Sequence, residues 1–319
     1  MSIHIKLVKS MIKRILILIV LLIGSINLIA QNQYRFNNYI STQGILNPAY
    51  NGSRDIISGM LIHRQQWITF PGAPMTDALN VHGAWEGTDL GFGFTVVNDN
   101  FGFSNNLDFM AAASYKLEID RNDKFLFFGL QMGASSMIYD GLKAVTEQWG
   151  DPVFDEKISR IFFNAGFGAY LSAEEFFVGF SVPKFFSQKF DSLDWQIRNK
   201  MDFKNLHMNI YGGYIFEIDM FKVRPSALIK YVYGAPMQID ISCSVLLTDF
   251  LWLGLAYRTT AELVFFADWA INRQFTLRYS VDYALSQFTR YAKAGSHELS
   301  LQFDFSFQKR PGMKTIRHW

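Results

Sequence analysis

The sequence predicts an all-β protein: a transmembrane antiparallel up-and-down β-barrel of about fourteen strands, preceded by a signal peptide. First, apolar and polar residues alternate with period two in runs of about ten residues, the length of a tilted strand that crosses a bilayer. Second, 50% of the residues are hydrophobic and 16% aromatic but only 18% charged, against about 25% charged in soluble domains. Third, past residue 30 no run of about 18 apolar residues could form a spanning helix.

Residues 1–30 have the features of a secretory signal peptide. Four basic residues precede the apolar run 15–24, and the small residue Ala30 lies before Gln31. A single membrane anchor is the alternative interpretation. Removal of residues 1–30 changes the formal net charge from +2 to −2, so the basic character belongs to the leader. We therefore expect no nucleic-acid partner.

The alternation is clearest near the end of the chain. Between His297 and Phe307 the odd-numbered positions are mostly apolar and the even-numbered positions are polar. Such a strand has one face in an apolar environment and the other in a polar one. The segments that follow this pattern are 55–64, 77–85, 89–98, 106–117, 124–138, 161–172, 175–182, 206–216, 221–233, 238–247, 251–259, 261–271, 275–285 and 296–307.

The connections between these segments alternate in length. Turn-forming residues dominate the short set, and the other set includes the long loops. The short connections are 86–88, 118–123, 172–175, 217–220, 248–250 and 272–274, and the longer ones are 65–76, 99–105, 139–160, 183–205 and 287–295. Two members of the second set, at 234–237 and near Thr260, are short. The pattern predicts the outer membrane of a Gram-negative bacterium, with both termini in the periplasm.

Each face of the predicted barrel has a role. Aromatic residues near strand ends are candidates for the interfacial girdles: Tyr231, Tyr233, Trp252, Tyr257, Trp269 and Tyr283. Charged residues on the polar sides of strands are expected in the lumen, where they either cross-brace a filled interior or line a solute pathway: Asp240, Asp282, Glu298, Asp304, Arg224, Arg258, Arg278 and Lys230.

The sequence offers little enzyme chemistry. The single cysteine, Cys243, excludes an internal disulfide, and six scattered histidines give no metal-ligand spacing. A barrel hydrolase with a Ser–His pair is a weaker alternative, since spacing alone establishes no such pair. We therefore expect no catalytic residue, no cofactor and no metal site.

The chain divides into four regions. The leader, residues 1–30, is followed by an N-terminal segment, residues 31–54, that forms either a plug or a turn at the barrel mouth, because Pro48 does not fit a paired central strand. Residues 55–307 form the barrel. A basic periplasmic tail, residues 308–319, completes the chain.

Two motifs carry a resemblance to a known family. The first consists of Asn47, Pro48, Ala49, Tyr50 and Gly52, and the second of Arg64, Trp67, Gly72, Ala73 and Pro74. Further matches at 97–99, 179–183, 233–236, 252–258 and 295–299 follow in family order. Over essentially the whole mature chain, the sequence resembles the PorP/SprF family of outer-membrane proteins of the type IX secretion and gliding-motility apparatus.

The resemblance implies a barrel that contacts outer-membrane lipid and works with other type IX components, including periplasmic lipoproteins. It also implies a role in the secretion or surface retention of a cargo such as an adhesin. We expect the long loops 139–160 and 183–205 to face outward and hold the C-terminal domain of the cargo. Their aromatic residues either anchor that cargo or pack the loops on the barrel rim: Trp149, Phe154, Phe185, Phe186, Phe190 and Trp195.

A second function class stays open. An outer-membrane channel or transporter for small or hydrophobic solutes, similar to the long-chain fatty-acid transporters, also has about fourteen strands. Ion conductance distinguishes the two, because a scaffold with a filled lumen conducts poorly.

Overall fold

The computed structural model describes residues 34–120, 123–143, 157–191, 196–201, 206–285 and 294–305. The predicted leader and basic tail lie outside these residues. The strands are β1 (Ile57–Gln65), β2 (Met75–Ala84), β3 (Leu90–Phe101), β4 (Ser104–Asp120), β5 (Lys124–Asp140), β6 (Lys157–Ser172), β7 (Phe176–Val182), β8 (Phe186–Asp191), β9 (Gln196–Met201), β10 (Met208–Tyr214), β11 (Phe216–Ile218), β12 (Phe221–Tyr231), β13 (Gln238–Thr248), β14 (Leu251–Arg258), β15 (Glu262–Ala270), β16 (Phe275–Ala284) and β17 (Ser296–Phe305).

The strands form a closed barrel. Each wall strand pairs antiparallel with its neighbours, and β1 pairs with β17 from Ile57↔Phe305 to Gln65↔His297. Strands β10 and β11 both pair with β12 and make one wall strand interrupted at Ile215, so the wall has fourteen strands. Closure gives every wall strand a neighbour on both sides, so the sheet has no free edge strand, as a wall in hydrocarbon requires. In the described part of the chain, no helix is long and apolar enough to cross a membrane.

The predicted fold class is therefore confirmed, and each of the fourteen predicted segments coincides with a wall strand to within four residues at either end. One predicted long loop, 99–105, is wrong. Strands β3 and β4 continue to a turn at Gly102 and Phe103, where Gly102 has a φ of 56°. The Asn105 side chain stabilises this extension by donating to the side-chain oxygens of Asn98, at 2.9 Å, and Asn100.

The two faces of the wall alternate as predicted. On β17, Leu299 is 48% exposed on the outer face, whereas its neighbour Glu298 is 4% exposed inside the barrel. The predicted position of Trp252 in an interfacial girdle is wrong. Its side chain is 8% exposed and faces the lumen, where its ring centroid lies 4.3 Å from Cζ of Arg224. The other five predicted girdle residues are exposed on the outer face or near strand ends, namely Tyr231, Tyr233, Tyr257, Trp269 and Tyr283.

The two ends of the barrel differ. One end, called the short-turn end below, has the connections 85–89, 121–123, 173–175, 219–220, 249–250 and 271–274. The other, called the long-loop end, has the remaining connections. There, between β7 and β10 in the chain, β8 and β9 form a hairpin that is a sheet of its own. The sequence predicts a loop over residues 183–205, so these two strands are a departure from that prediction.

Residues 34–54, called the lumen segment below, cross the interior of the barrel. The segment contains a short helix, α1 (Gln43–Leu46), and a 3-10 turn (Pro48–Tyr50). Arg35 pairs with Glu262 at the long-loop end, and Arg54 pairs with Asp304 at the short-turn end. The described chain therefore starts near the long-loop end and finishes at the short-turn end, and the two termini themselves lie outside the described residues.

The apolar core of the protein forms around the lumen segment. In one cluster, Tyr39, Leu46, Ala49 and Tyr50 of the segment pack against inward-facing residues of β5, β6, β7, β10 and β12. In a second cluster, Phe36 and Ile45 pack against the inner wall of β1, β2 and β3. Because a single sheet has no second layer to cover its inner face, the segment supplies that layer.

Candidate functional site

Outside the two apolar clusters, the inner face of the barrel is polar. Serine, asparagine and charged side chains alternate with outward apolar ones, and most are buried because the lumen segment covers them. Buried polar groups are stable only when hydrogen-bonded or paired. The contacts of the lumen segment therefore determine what the interior of the barrel can do.

The first half of the segment binds strands β12 to β17. The amide of Asn37 donates to Glu298 Oε2 at 2.8 Å, and its side chain donates to Ser280 at 3.1 Å. Asn38 Nδ2 donates to Asp268 Oδ1 at 3.0 Å. These contacts join residues more than 200 positions apart in the chain. They hold the segment against the wall formed by β15, β16 and β17.

Tyr39 extends this set of contacts toward β12 and β13. Its hydroxyl donates to Ser226 Oγ at 2.8 Å and lies 3.1 Å from Ser242 Oγ. A phenol is protonated at neutral pH, so the hydroxyl is available as a donor.

The second half of the segment binds strands on the opposite wall. The side chain of Asn47 caps the 3-10 turn by accepting from the amide of Ala49 at 2.9 Å, and it donates to the carbonyl of Ala169 at 3.0 Å. Ser181 Oγ donates to the carbonyl of Leu46 at 2.6 Å, and Ser114 donates to the carbonyl of Asn51. Wall side chains thus satisfy the irregular backbone of the segment.

Two glycines of the wall leave room for the turn at Pro48–Tyr50. A Cβ on Gly129 would lie 2.2 Å from the amide nitrogen of Ala49, and a Cβ on Gly168 would lie 1.9 Å from Oδ1 of Asn47. Both distances are far below van der Waals contact. A larger residue at Gly129 must displace the backbone of the lumen segment, and one at Gly168 must displace the side chain of Asn47.

We predict that Gly168→Val lowers the free energy of unfolding by about 1–3 kcal/mol, because the added side chain overlaps Asn47. The matched control is Ala169→Val, one position along β6 with its side chain on the outer face, which we expect to change stability little. Urea unfolding of both variants in lipid vesicles, followed by tryptophan fluorescence, measures the difference. Equal stability of the two variants would argue against close seating of the segment.

Two buried arginines hold ionic networks near the long-loop end. Arg258 donates to Asp240 Oδ2 at 3.0 Å, to Glu262 Oε2 at 2.5 Å and to the carbonyl of Phe36 at 3.2 Å. Arg64 donates to Asp282 Oδ2 at 2.7 Å, and a second nitrogen lies 3.5 Å from Glu298 Oε2. Arg258 and Glu298 each also bind the lumen segment, so the networks join the wall to the segment.

The predicted aromatic anchors are only partly described. Phe185 and Phe186 are half-buried, and Phe185 stacks on Phe167 of β6 with ring centroids 5.8 Å apart. Phe190 lies in β8, in a part of the hairpin whose side chains are not described. The remaining three lie outside the described residues: Trp149, Phe154 and Trp195.

A comparison with protein families identifies the chain. Residues 28–303 match the model of the type IX secretion system membrane protein PorP/SprF.

The chain belongs to the PorP/SprF family.

With its closed barrel, this PorP/SprF protein is an outer-membrane protein of the type IX secretion system. No curated protein matches it in sequence. Among solved structures, the Ralstonia pickettii toluene transporter TbuX is similar, with a TM-score of 0.50 and 9% identity, covering 83% of this chain and 93% of that one. The CymD monoaromatic hydrocarbon channel has a TM-score of 0.49 and 12% identity, with coverages of 85% and 94%. Omp33 of Acinetobacter baumannii has a TM-score of 0.40 and 10% identity, with coverages of 80% and 98%. These identities indicate shared architecture only.

The two family motifs occupy different places in this PorP/SprF barrel. Asn47, Pro48, Ala49, Tyr50 and Gly52 form the turn of the lumen segment, where Tyr50 packs edge-on against Tyr170 with ring centroids 5.3 Å apart.

The second motif lies at the long-loop end. Arg64 belongs to the ionic networks, whereas Trp67, Gly72, Ala73 and Pro74 form the loop after β1. In this loop Ser296 Oγ accepts from the amide of Trp67 at 3.2 Å, and the carbonyl of Gly72 accepts from the amide of Gly102 at 3.0 Å. The motif therefore ties the first loop to two neighbouring connections.

Sequence reasoning missed the residues that receive the lumen segment. Asp268, Ser226, Ser242 and Ser280 gave no signal beyond their polar position in a strand. In the described residues, no group of three or more histidine, cysteine or acidic side chains could hold a metal ion.

Proposed function

We propose that this protein supports the secretion or surface retention of a secreted protein, such as an adhesin, as a non-enzymatic partner in the type IX apparatus. The observation that carries the proposal is the filled lumen. Since the lumen segment occupies the interior from one end to the other, the protein acts through the surfaces at its ends. Family membership indicates that the partners are type IX components. The filled lumen favours a scaffold over a channel.

The long-loop end provides the larger surface for the cargo. The hairpin of β8 and β9 belongs to this end, and β4, β5 and β6 are the longest strands of the wall. After β7 the side chain of Lys184 points into the barrel. Its Nζ lies 2.6 Å from Asp108 Oδ2 of β4 and over the ring of Tyr34 in the lumen segment. The hairpin thus starts from a fixed point on the rim. We propose that this end faces outward and holds the C-terminal domain of the cargo.

The short-turn end, where β17 finishes, then faces the periplasm. There it is positioned to meet periplasmic lipoproteins of the apparatus. The C-terminal end of the described chain lies on this side, whereas the lumen segment starts on the other.

Replacement of residues 186–201 by a short Gly-Ser linker tests the proposal. We expect cargo to appear in the culture medium instead of on the cell surface, while the barrel still reaches the outer membrane. The matched control replaces residues 232–237, another connection at the same end, and should leave cargo on the surface. Normal surface retention by a correctly inserted hairpin variant would contradict the proposal.

A channel for small or hydrophobic solutes is the second candidate. Its support is the fold shared with TbuX, whose description names it a toluene transporter. The lumen segment disfavours this candidate, because the large buried side chains of the segment fill the interior through which a solute would pass. Conductance, treated in the Discussion, distinguishes the two.

A further inference from the structure

A trough of about 590 Å³ runs across the outer face of the barrel, over strands β16, β17, β1, β2 and β3. Its floor is a row of aliphatic side chains that are paired in direct register on these strands: Leu277, Leu301, Leu61, Leu79 and Val96. Neighbouring strands lie about 4.8 Å apart, so the row is about 20 Å long. One leaflet of a bilayer has a hydrocarbon layer about 15 Å thick. The trough is therefore long enough for an extended acyl chain.

Phenylalanine rings raise the side of the trough that faces the short-turn end. They occupy the next row of outward positions: Phe94 on β3, Phe303 on β17 and Phe275 on β16. The ring of Phe303 lies over Gly59 of β1, where a Cβ would be 2.1 Å from Cζ of that ring. Because these rings are bulkier than the side chains of the floor, they close the trough on this side.

The side that faces the long-loop end is polar. There the next row of outward positions holds Asn98, Asp77 and His63, again in direct register. His63 Nδ1 lies 2.7 Å from Asp77 Oδ1, and the two side chains are 54% and 45% exposed. A carboxylate only accepts hydrogen bonds, so Nδ1 of His63 carries the proton. No described residue donates to the other carboxylate oxygen, Oδ2 of Asp77.

The trough thus has the polarity of a lipid molecule. His63 lies two positions before the end of β1, and Asp77 lies two positions after the start of β2. Near strand ends, polar side chains on the outer face meet the head groups rather than the centre of the bilayer. The aliphatic floor lies one row farther from the long-loop end, on the side of the acyl chains.

Other occupants fit less well. A recess between a polar row and a raised aromatic row accommodates a flexible chain better than the rigid wall of another barrel. The residues after Phe305 follow the end of β17 at the short-turn end. To reach Asp77 they would have to carry lysine and arginine side chains past the hydrocarbon layer, which is costly.

We propose that the trough binds one membrane lipid whose head group carries a primary ammonium group. The ammonium group donates to Asp77 Oδ2, which supplies the opposite charge, and an acyl chain lies along the aliphatic floor. The site belongs to the wall of the barrel. It therefore goes beyond the proposed cargo function, which concerns the two ends.

Native mass spectrometry of the full-length protein in detergent tests the site. The probe is an equal mixture of phosphatidylethanolamine and phosphatidylcholine with the same acyl chains, of which only the first has N–H donors. We expect wild type to retain one lipid and to prefer phosphatidylethanolamine at least about fivefold, because a charge-assisted hydrogen bond is lost with choline. Asp77→Leu should abolish the preference.

The matched control is Tyr231→Leu, which removes a polar side chain that is 40% exposed on the outer face of β12. It should retain the preference of wild type. Leu61→Trp, which fills the floor of the trough, should reduce the retention of both lipids.

Each other outcome overturns the proposal. Equal retention of the two lipids by wild type, or an unchanged preference in Asp77→Leu, would exclude the ammonium site. Full retention by Leu61→Trp would place the lipid elsewhere. A protein that copurifies with wild type but not with Leu61→Trp would assign the trough to a protein partner. Heat-dependent mobility on gels checks folding, and if Asp77→Leu does not fold, Asp77→Asn, which loses the charge, should still weaken the preference.

Discussion

Removal of residues 36–50 is expected to convert a barrel that carries little current into one that conducts ions steadily. Barrels of about eight strands are filled by their own side chains, whereas those of 16–18 strands leave an aqueous channel. A wall of fourteen strands lies between these sizes. Here the lumen segment fills the remaining space, so its removal should open a path lined by the polar inner face.

The measurement is single-channel recording in planar bilayers. Wild type should show no sustained steps, and the deletion variant should show steps that increase with salt concentration. A milder variant guards against misfolding of the deletion: Asn37→Ala with Asn38→Ala and Tyr39→Phe removes the side-chain contacts to β12, β13, β15 and β16. Equal conductance of wild type and a folded deletion variant would show that the segment does not block the lumen.

Arg258→Leu is expected to cost about 3–5 kcal/mol of stability, because removal of one partner leaves buried charges without compensation. Arg258 is 2% exposed, and it binds Asp240, Glu262 and the carbonyl of Phe36. The variant should both destabilise the barrel and loosen the start of the lumen segment.

Urea unfolding in vesicles measures the loss, and Arg160→Leu at an exposed position is the control. Adding Asp240→Asn to Arg258→Leu should restore part of the stability, because it removes one of the uncompensated charges. A loss smaller than about 1 kcal/mol for Arg258→Leu would mean that the buried network contributes little.

The wall of the barrel could be predicted from the sequence because its signal is local. In β17 the alternation of Leu299 and Leu301 with Glu298 and Ser300 fixes both the strand and its faces. The inward position of Trp252 follows from the same local signal. Arg258 lies six positions later in the same strand, so the two side chains must share a face, and a charged residue belongs inside.

The wall residues that contact the lumen segment could not be predicted in the same way. The contact between Asn38 and Asp268 joins residues 230 positions apart, and it exists only after the sheet closes. Gly129 and Gly168 give no sequence signal, since their role depends on a backbone that approaches from the other side of the lumen. Pro48 showed that residues 31–54 are not a central strand, but it did not distinguish a plug from a turn at the mouth.

Cross-linking inside intact outer membranes tests the central claim, that residues 34–54 fill the lumen, most directly. In a Cys243→Ala background, Asn38→Cys with Asp268→Cys should be joined by a short thiol cross-linker, detectable by peptide mass spectrometry. Ser242→Cys with Ala256→Cys, a directly paired position of β13 and β14, is the positive control. The account predicts cross-linking of both pairs. Cross-linking of the control pair alone would contradict it, because the segment would then lie outside the barrel.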